Sequence, residues 1–176
     1  MGKTRMRGDY RRIAVVGSGG SGKSTLARQI AAITGLPIIH LDMEFWRPGW
    51  KQMPKDEWIV KMDAMTRGES WIMDGNYGGT LEARFAAADL IIFLDISRFI
   101  CLFRVLRRRN KNRPDFPDYL QEKFDWTFLK WIWDFPKNSR KHILKLHEKH
   151  PDTPFVAIRN KRELRRILED FNEHRT

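Results

Sequence analysis

An α/β fold built on a parallel sheet is the architecture this sequence predicts, and three observations predict it. Short β-branched or apolar runs alternate with helix-like runs along all 176 residues. One of these runs, "DLIIFLD" (89–95), has an unbroken apolar centre, as suits a parallel strand covered on both faces. A glycine-rich loop, "GSGGSGKS" (17–24), stands between an apolar run and a helical one. In open α/β sheets ligands bind beyond the carboxyl ends of the strands, where such a loop falls.

The elements follow in order. Residues 13–16 form the first predicted strand. From Lys23 the pattern turns helical, with Leu26, Ile30 and Ile33 on one face, and Gly35 and Pro37 end that helix. Residues 37–41 are the second strand. "PKDEWIVKMDAM" reads as a helix, 70–74 as the third strand, 80–88 as a short helix and 89–95 as the fourth strand. A helix starts near Ser97. The proline-bounded aromatic stretch 112–136 fits a closing lid. Residues 154–158 are the fifth strand, and the last helix carries Leu164, Ile167, Leu168 and Phe171 on one face. No internal repeat or low-complexity tract is visible, so a single domain over 1–176 is expected, with a flexible basic stretch at 1–11.

Composition narrows the class of protein. Hydrophobic residues make up 41% and charged residues 31%, an ordinary globular balance that excludes an extended disordered chain. No apolar run is long enough to span a bilayer, and the basic start is followed by no apolar secretory core. The one cysteine, Cys101, cannot form an internal disulfide, which favours a reducing, cytoplasmic home. Its neighbours in "FICLF" mark it as a small buried hydrophobe rather than a nucleophile. The formal net charge of +11 permits a phosphate-rich partner, whether nucleotide, nucleic acid or anionic lipid, without choosing among them. Each basic run (104–113, 137–150, 159–166) can equally be a solvated helix face.

The residues after each strand carry the chemistry. Gly17, Ser18, Gly19, Gly20, Ser21, Gly22, Lys23 and Ser24 complete the pattern G-x-x-x-x-G-K-[ST], and Thr25 follows. The glycines let backbone N–H groups wrap an anion, and the next helix adds the partial positive charge of its N-terminus. Lys23 is expected on the β- and γ-phosphates of ATP and the Ser24 hydroxyl on Mg²⁺. A flexible linker would need neither the strand before nor the amphipathic helix after. Asp42 follows the second strand, where it can accept a proton from a hydroxyl or orient a metal-bound water, or simply cap a turn. Trp46 and Arg47 can stack a planar ring and pin an anion, or form a small packed cluster with Trp50. His40 fits a packed or hydrogen-bonded histidine better than a base. Asp74 closes an apolar strand in the manner of a carboxylate that assists Mg²⁺, with a simple turn as the alternative. Asn76, Tyr77 and Arg84 are candidate acceptor contacts. Arg104, Arg107 and Arg108 lie on one helix side, where arginines can stabilise the charge of a transferring phosphoryl group. Arg113 and Arg140 flank the lid stretch, and Arg159-Asn160-Lys161 could border a nucleotide base.

With these residues together, the layout resembles the nucleoside monophosphate kinase-like branch of P-loop proteins, which includes adenylate and shikimate kinases. "IMDGNY" is similar to the Asp-Gly segment of adenylate kinases, although Tyr77 and Gly78 stand where those have Pro-Arg. The resemblance implies a three-layer α/β/α P-loop NTPase fold, strand order 2-3-1-4-5 and a helical lid insertion. A closer likeness, over "GSGGSGKSTLA", "HLDMEFWRPGW", "SWIMDGNYGGTL", "ADLIIFLDISR", "RVLRRR" and "FDWTFLKWIWDFP", is to the bacterial DNA topology modulation (FlaR-type) family. The residues describe a kinase site and the family label an effect on DNA. Three functions are therefore expected to compete. They are transfer of the γ-phosphoryl of ATP to a small-molecule or nucleotide acceptor, nucleotide-dependent or non-specific DNA binding, and plain NTP hydrolysis.

Overall fold

The computed structural model describes residues 9–107 and 126–173. A parallel sheet of five strands runs through the middle: β1 (Arg12–Gly17), β2 (Ile38–His40), β5 (Trp71–Asp74), β6 (Leu90–Leu94) and β7 (Phe155–Ile158). Their spatial order is β2-β5-β1-β6-β7. Counted among sheet strands alone this is the expected 2-3-1-4-5. The labels β3 (Trp46–Arg47) and β4 (Lys51–Gln52) belong to a separate antiparallel hairpin. That hairpin was not expected. Two-residue strands carry no readable alternation, although Pro48-Gly49 between them is a turn signal.

Among the described residues eight helices cover the sheet. They are α1 (Lys23–Thr34), α2 (Leu41–Phe45), α3 (Lys55–Thr66), α4 (Leu81–Ala87), α5 (Arg98–Arg107), α6 (Trp126–Asp134), α7 (Ser139–Glu148) and α8 (Lys161–Glu173). A single 3-10 turn, Gly78–Thr80, leads into α4. Alternation along the strands sorts side chains to two cores. Ile13, Val15, Ile72, Leu90, Ile92 and Leu94 meet Leu26 and Ile30 of α1 and Ile167 and Phe171 of α8. Ala14, Val16, Met73, Ile91 and Phe93 face the other way, towards Trp58 and Met62 of α3, Phe85 of α4 and Ile143 of α7. Each fully buried Ile, Leu or Phe contributes about 1.5–3 kcal/mol, so the five-residue apolar run of β6, buried on both faces, anchors the sheet. Cys101 is fully buried, as its neighbours implied.

Register sets the working edge. His40 pairs with Asp74 across β2 and β5. Gly17 pairs with Leu94 across β1 and β6. β2 and β5 therefore end level with Val15, and β1, β6 and β7 end level two residues further on. Among the described residues no helix is long and apolar enough to cross a membrane. The expected basic start (1–8) and the first part of the lid stretch (112–125), with Arg108 and Arg113, lie outside the described residues.

Candidate functional site

The loop from Gly17 to Gly22 closes tightly between β1 and α1. The Ser21 N–H donates to the Ser18 carbonyl (3.2 Å), and the Leu26 N–H to the Gly22 carbonyl (3.0 Å), which starts α1. Lys23 Nζ bends back onto the Ser18 carbonyl at 2.9 Å. Ser18 and Ser21 are buried, and neither hydroxyl has a hydrogen-bond partner. Buried hydroxyls that make no protein contact are rare, and at the lip of a glycine loop they suit a polyanion.

Two helices press on the tip of this loop. At Gly19 a Cβ would fall 2.5 Å from the Phe128 ring of α6, and at Gly20 (φ 75°) 2.4 Å from the Cys101 carbonyl of α5. Only glycine permits that approach. Arg104 of α5 donates to the Ser21 carbonyl (3.1 Å) and the Gly20 carbonyl (3.4 Å), so one predicted arginine does reach the loop. The glycines thus serve helix packing as well as any ligand.

Asn76 clasps the loop from the other side. Its Oδ1 accepts from the Gly17 N–H (3.0 Å) and its Nδ2 donates to the Gly17 carbonyl (2.6 Å). This role, a brace between β5 and the loop, was missed in the sequence, where Asn76 reads as an acceptor contact. Asp74, beside it, is buried. Its Oδ2 faces His40 Nδ1 at 3.0 Å and its Oδ1 has no partner. A buried carboxylate oxygen left free at the carboxyl end of β5, beside the strand that leads into the loop, fits a hydrated Mg²⁺. That ion prefers one or two carboxylates plus phosphate and water. Among the described residues no group of three or more His, Cys, Asp or Glu side chains could hold a metal ion.

Arg84 lies elsewhere than expected. It is fully buried, and its guanidinium donates to the carbonyls of Gly75 (2.7 Å), Asn76 and Tyr77 (3.3 Å). Burial pushes its pKa down to about 9, opposed by Tyr77 and Asp74, which leaves it charged at neutral pH. It therefore holds the 75–77 backbone from beneath and faces no acceptor. The readable signal was its spacing: Leu81, Arg84, Phe85 and Ala88 share one buried helix face.

Asp42 sits in α2, not on an open loop. The Tyr77 O–H donates to its Oδ1 at 2.6 Å. Burial first, then the Asp42 charge, holds the Tyr77 phenol well above its ordinary pKa. The Trp46 indole hydrogen-bonds to the Tyr77 hydroxyl in turn. Phe45 meets Trp46, Trp58 and Tyr77 at ring-centroid distances of 5.2, 5.1 and 4.7 Å. Trp46 also meets Trp50 edge-on at 5.4 Å. Of the two readings of this segment, the packed aromatic cluster is the one the geometry favours. Arg47 is exposed and ion-paired with Glu57 of α3. Thr25 is exposed on α1. Asp95, beyond β6, accepts from Arg140 Nε (2.8 Å) and lies 3.6 Å from Arg159 Nε, which ties α7 and the β7–α8 connection to the same sheet edge.

No protein-family model and no curated protein matches the chain, so the likeness to the DNA topology modulation family rests on its motifs alone. Solved structures do match. A shikimate kinase from Acinetobacter baumannii, in complex with shikimate, aligns with a TM-score of 0.57 at 13% identity, over 93% of this chain and 92% of that one. A gluconokinase from Sinorhizobium meliloti 1021 aligns with a TM-score of 0.52 at 15% identity, over 94% and 91%. A sugar kinase from Janibacter sp. HTCC2649 aligns with a TM-score of 0.50 at 18% identity, over 94% and 92%. Likeness at such identities shows the fold alone, a three-layer α/β/α fold that the chain shares with these solved structures.

Proposed function

We propose that this chain is an ATP-dependent phosphotransferase that moves the γ-phosphoryl group to a hydroxyl of a small acceptor. The observation that carries the reading is the Asn76 clasp on Gly17, which fixes the phosphate loop against the strand bearing Asp74 and the turn bearing Tyr77. Donor-side and acceptor-side groups then share one sheet edge. The backbone N–H groups of residues 17–24 would cradle the phosphates, and Lys23 would exchange the Ser18 carbonyl for phosphate oxygen. Mg²⁺, held by Ser24 and Asp74, would supply neutralisation of phosphate charge. The acceptor hydroxyl oxygen forms a bond to the γ-phosphorus as the bond to the β–γ bridging oxygen breaks, ADP leaves, and Asp42 takes the hydroxyl proton. Arg104, already at the loop, would offset charge on the moving group. Arg108 is proposed for the same work, and residues 112–136 are proposed as the lid that keeps water out.

A hydroxyl compound without a phosphate group suits the acceptor side better than a nucleoside monophosphate. The two arginines expected there are committed elsewhere, Arg84 to backbone carbonyls and Arg47 to Glu57. The test is an acceptor screen with ATP and Mg²⁺ over sugars, sugar acids, shikimate, nucleosides and nucleoside monophosphates. Phosphorylation of a hydroxyl compound supports the reading, and its absence across the panel overturns it. The charge of +11 also motivates a DNA-directed role, which the comparisons do not support. That role predicts duplex affinity that responds to ATP and falls steeply with salt.

A further inference from the structure

We infer that Tyr77 is a positioning residue that aims the Asp42 carboxylate at the acceptor, as the middle member of a relay Trp46–Tyr77–Asp42. The inference rests on the phosphotransferase reading and names how its acceptor side is built.

Three observations support it. First, the Tyr77 O–H donates to Oδ1 of Asp42 at 2.6 Å, which leaves Oδ2 as the oxygen free to receive a hydroxyl proton. Second, the Tyr77 hydroxyl is itself fixed. The Trp46 indole, which can only donate, hydrogen-bonds to it, so its proton is directed to Asp42 and nowhere else. Third, the backbone is forced to put the ring there. Tyr77 has a left-handed φ of 40°, which a side chain as large as tyrosine rarely adopts. Three donors hold its carbonyl in that conformation: Arg84 (3.3 Å), the Thr80 N–H (3.0 Å) and the Thr80 hydroxyl (3.2 Å). Strain that the surroundings over-determine in this way marks a placement the protein needs. Packing alone would not need the hydroxyl, since phenylalanine fills the same space.

Asp42 lies in a helix of only five residues. Such a helix cannot hold a carboxylate rigidly by itself, because the first turns of a helix are the least stable. The relay supplies the missing constraint. Tilted contacts with Phe45 (4.7 Å between ring centroids) and Trp58 (5.2 Å) hold the ring in place.

The experiment is a double-substitution cycle on the full chain, with Tyr77→Phe, Asp42→Asn and both together. The acceptor is the hydroxyl compound of the screen that the unsubstituted chain phosphorylates fastest. Tyr77→Phe is expected to lower kcat about tenfold with KM for ATP unchanged, the loss expected when a transition-state group is misaimed. In the Asp42→Asn background the same substitution is expected to lower kcat no further, because what it positions is gone. A purely structural tyrosine would slow both backgrounds alike. Full activity of Tyr77→Phe, or losses that multiply in the double variant, overturns the inference while leaving the phosphotransferase reading intact. Failure of the unsubstituted chain to phosphorylate any hydroxyl compound overturns both. Should Tyr77→Phe not fold, Trp46→Phe removes the upstream donor and is expected to give the same pattern at about threefold; an unchanged rate there overturns the relay.

Discussion

Lys23 and Arg84 show how differently two cations can be employed within one site. Lys23 donates to the Ser18 carbonyl of the loop at 2.9 Å, a contact that phosphate oxygen can replace. Lys23→Ala is expected to abolish ATP binding while leaving the melting temperature nearly unchanged, as calorimetric titration and thermal melts would show. Arg84 has no such freedom. Its removal strands the carbonyls of residues 75–77 in a buried place, and Arg84→Met is expected to destabilise the fold by about 3 kcal/mol or more in urea titration. The sequence shows both residues as basic and near a strand end. Only the helix-face spacing of Arg84 separates them, and a charge on an apolar face is easily read as solvated. Tyr77 adds a pH signature. Its phenol is raised by burial and by Asp42, so above about pH 10 the unfolded chain loses a proton that the native chain keeps. Stability contributed by this group is full below that pH and falls as pH rises beyond it. Tyr77→Phe is expected to flatten that alkaline fall in the urea midpoint.

At the scale of elements, the contact of α5 and α6 with the phosphate loop ties the helix before the proposed lid, and the helix within it, to that loop. Gly20→Ala would set a Cβ against the Cys101 carbonyl in a left-handed conformation, where backbone rather than a flexible side chain must yield. It is expected to cost about 1–3 kcal/mol and to weaken ATP binding together with stability. Gly19→Ala meets the Phe128 ring most closely and Ile132 Cδ1 at 3.2 Å, both side chains, so Phe128→Ala in the same chain is expected to restore much of the loss, a coupling that denaturation of the single and double variants would reveal. This contact was not legible in the sequence. The glycine motif already has a sufficient explanation in phosphate binding, and nothing in "FICLF" or "WTFLKWIWD" says which loop those helices touch. The strands and long helices were legible because hydrophobic period reports burial directly. The β3–β4 hairpin and the short α2 were not, being too brief to show a period. Their placement decides that Phe45 packs on Tyr77 and that Asp42 is reached by a phenol.

At the scale of the molecule, the sheet order does the assembling. Placing β5 between β2 and β1 brings Asp74 beside His40 and, through Asn76, beside Gly17, although these residues come from three separate parts of the chain. The G-x-x-x-x-G-K-S motif announces the phosphate side unaided. The acceptor side becomes readable only when the topology sets α2 and the Tyr77 turn together. The net charge of +11 is a whole-molecule property that several partners could satisfy, and it follows the fold rather than deciding its use. The most direct test of the central claim is mass-spectrometric detection of product from ATP, Mg²⁺ and the panel of hydroxyl compounds, with ADP release followed in parallel. The account predicts a phosphorylated hydroxyl compound formed in step with ADP and lost in Lys23→Ala. ADP released at one rate whether or not any acceptor is present, with no phosphorylated product, would contradict it.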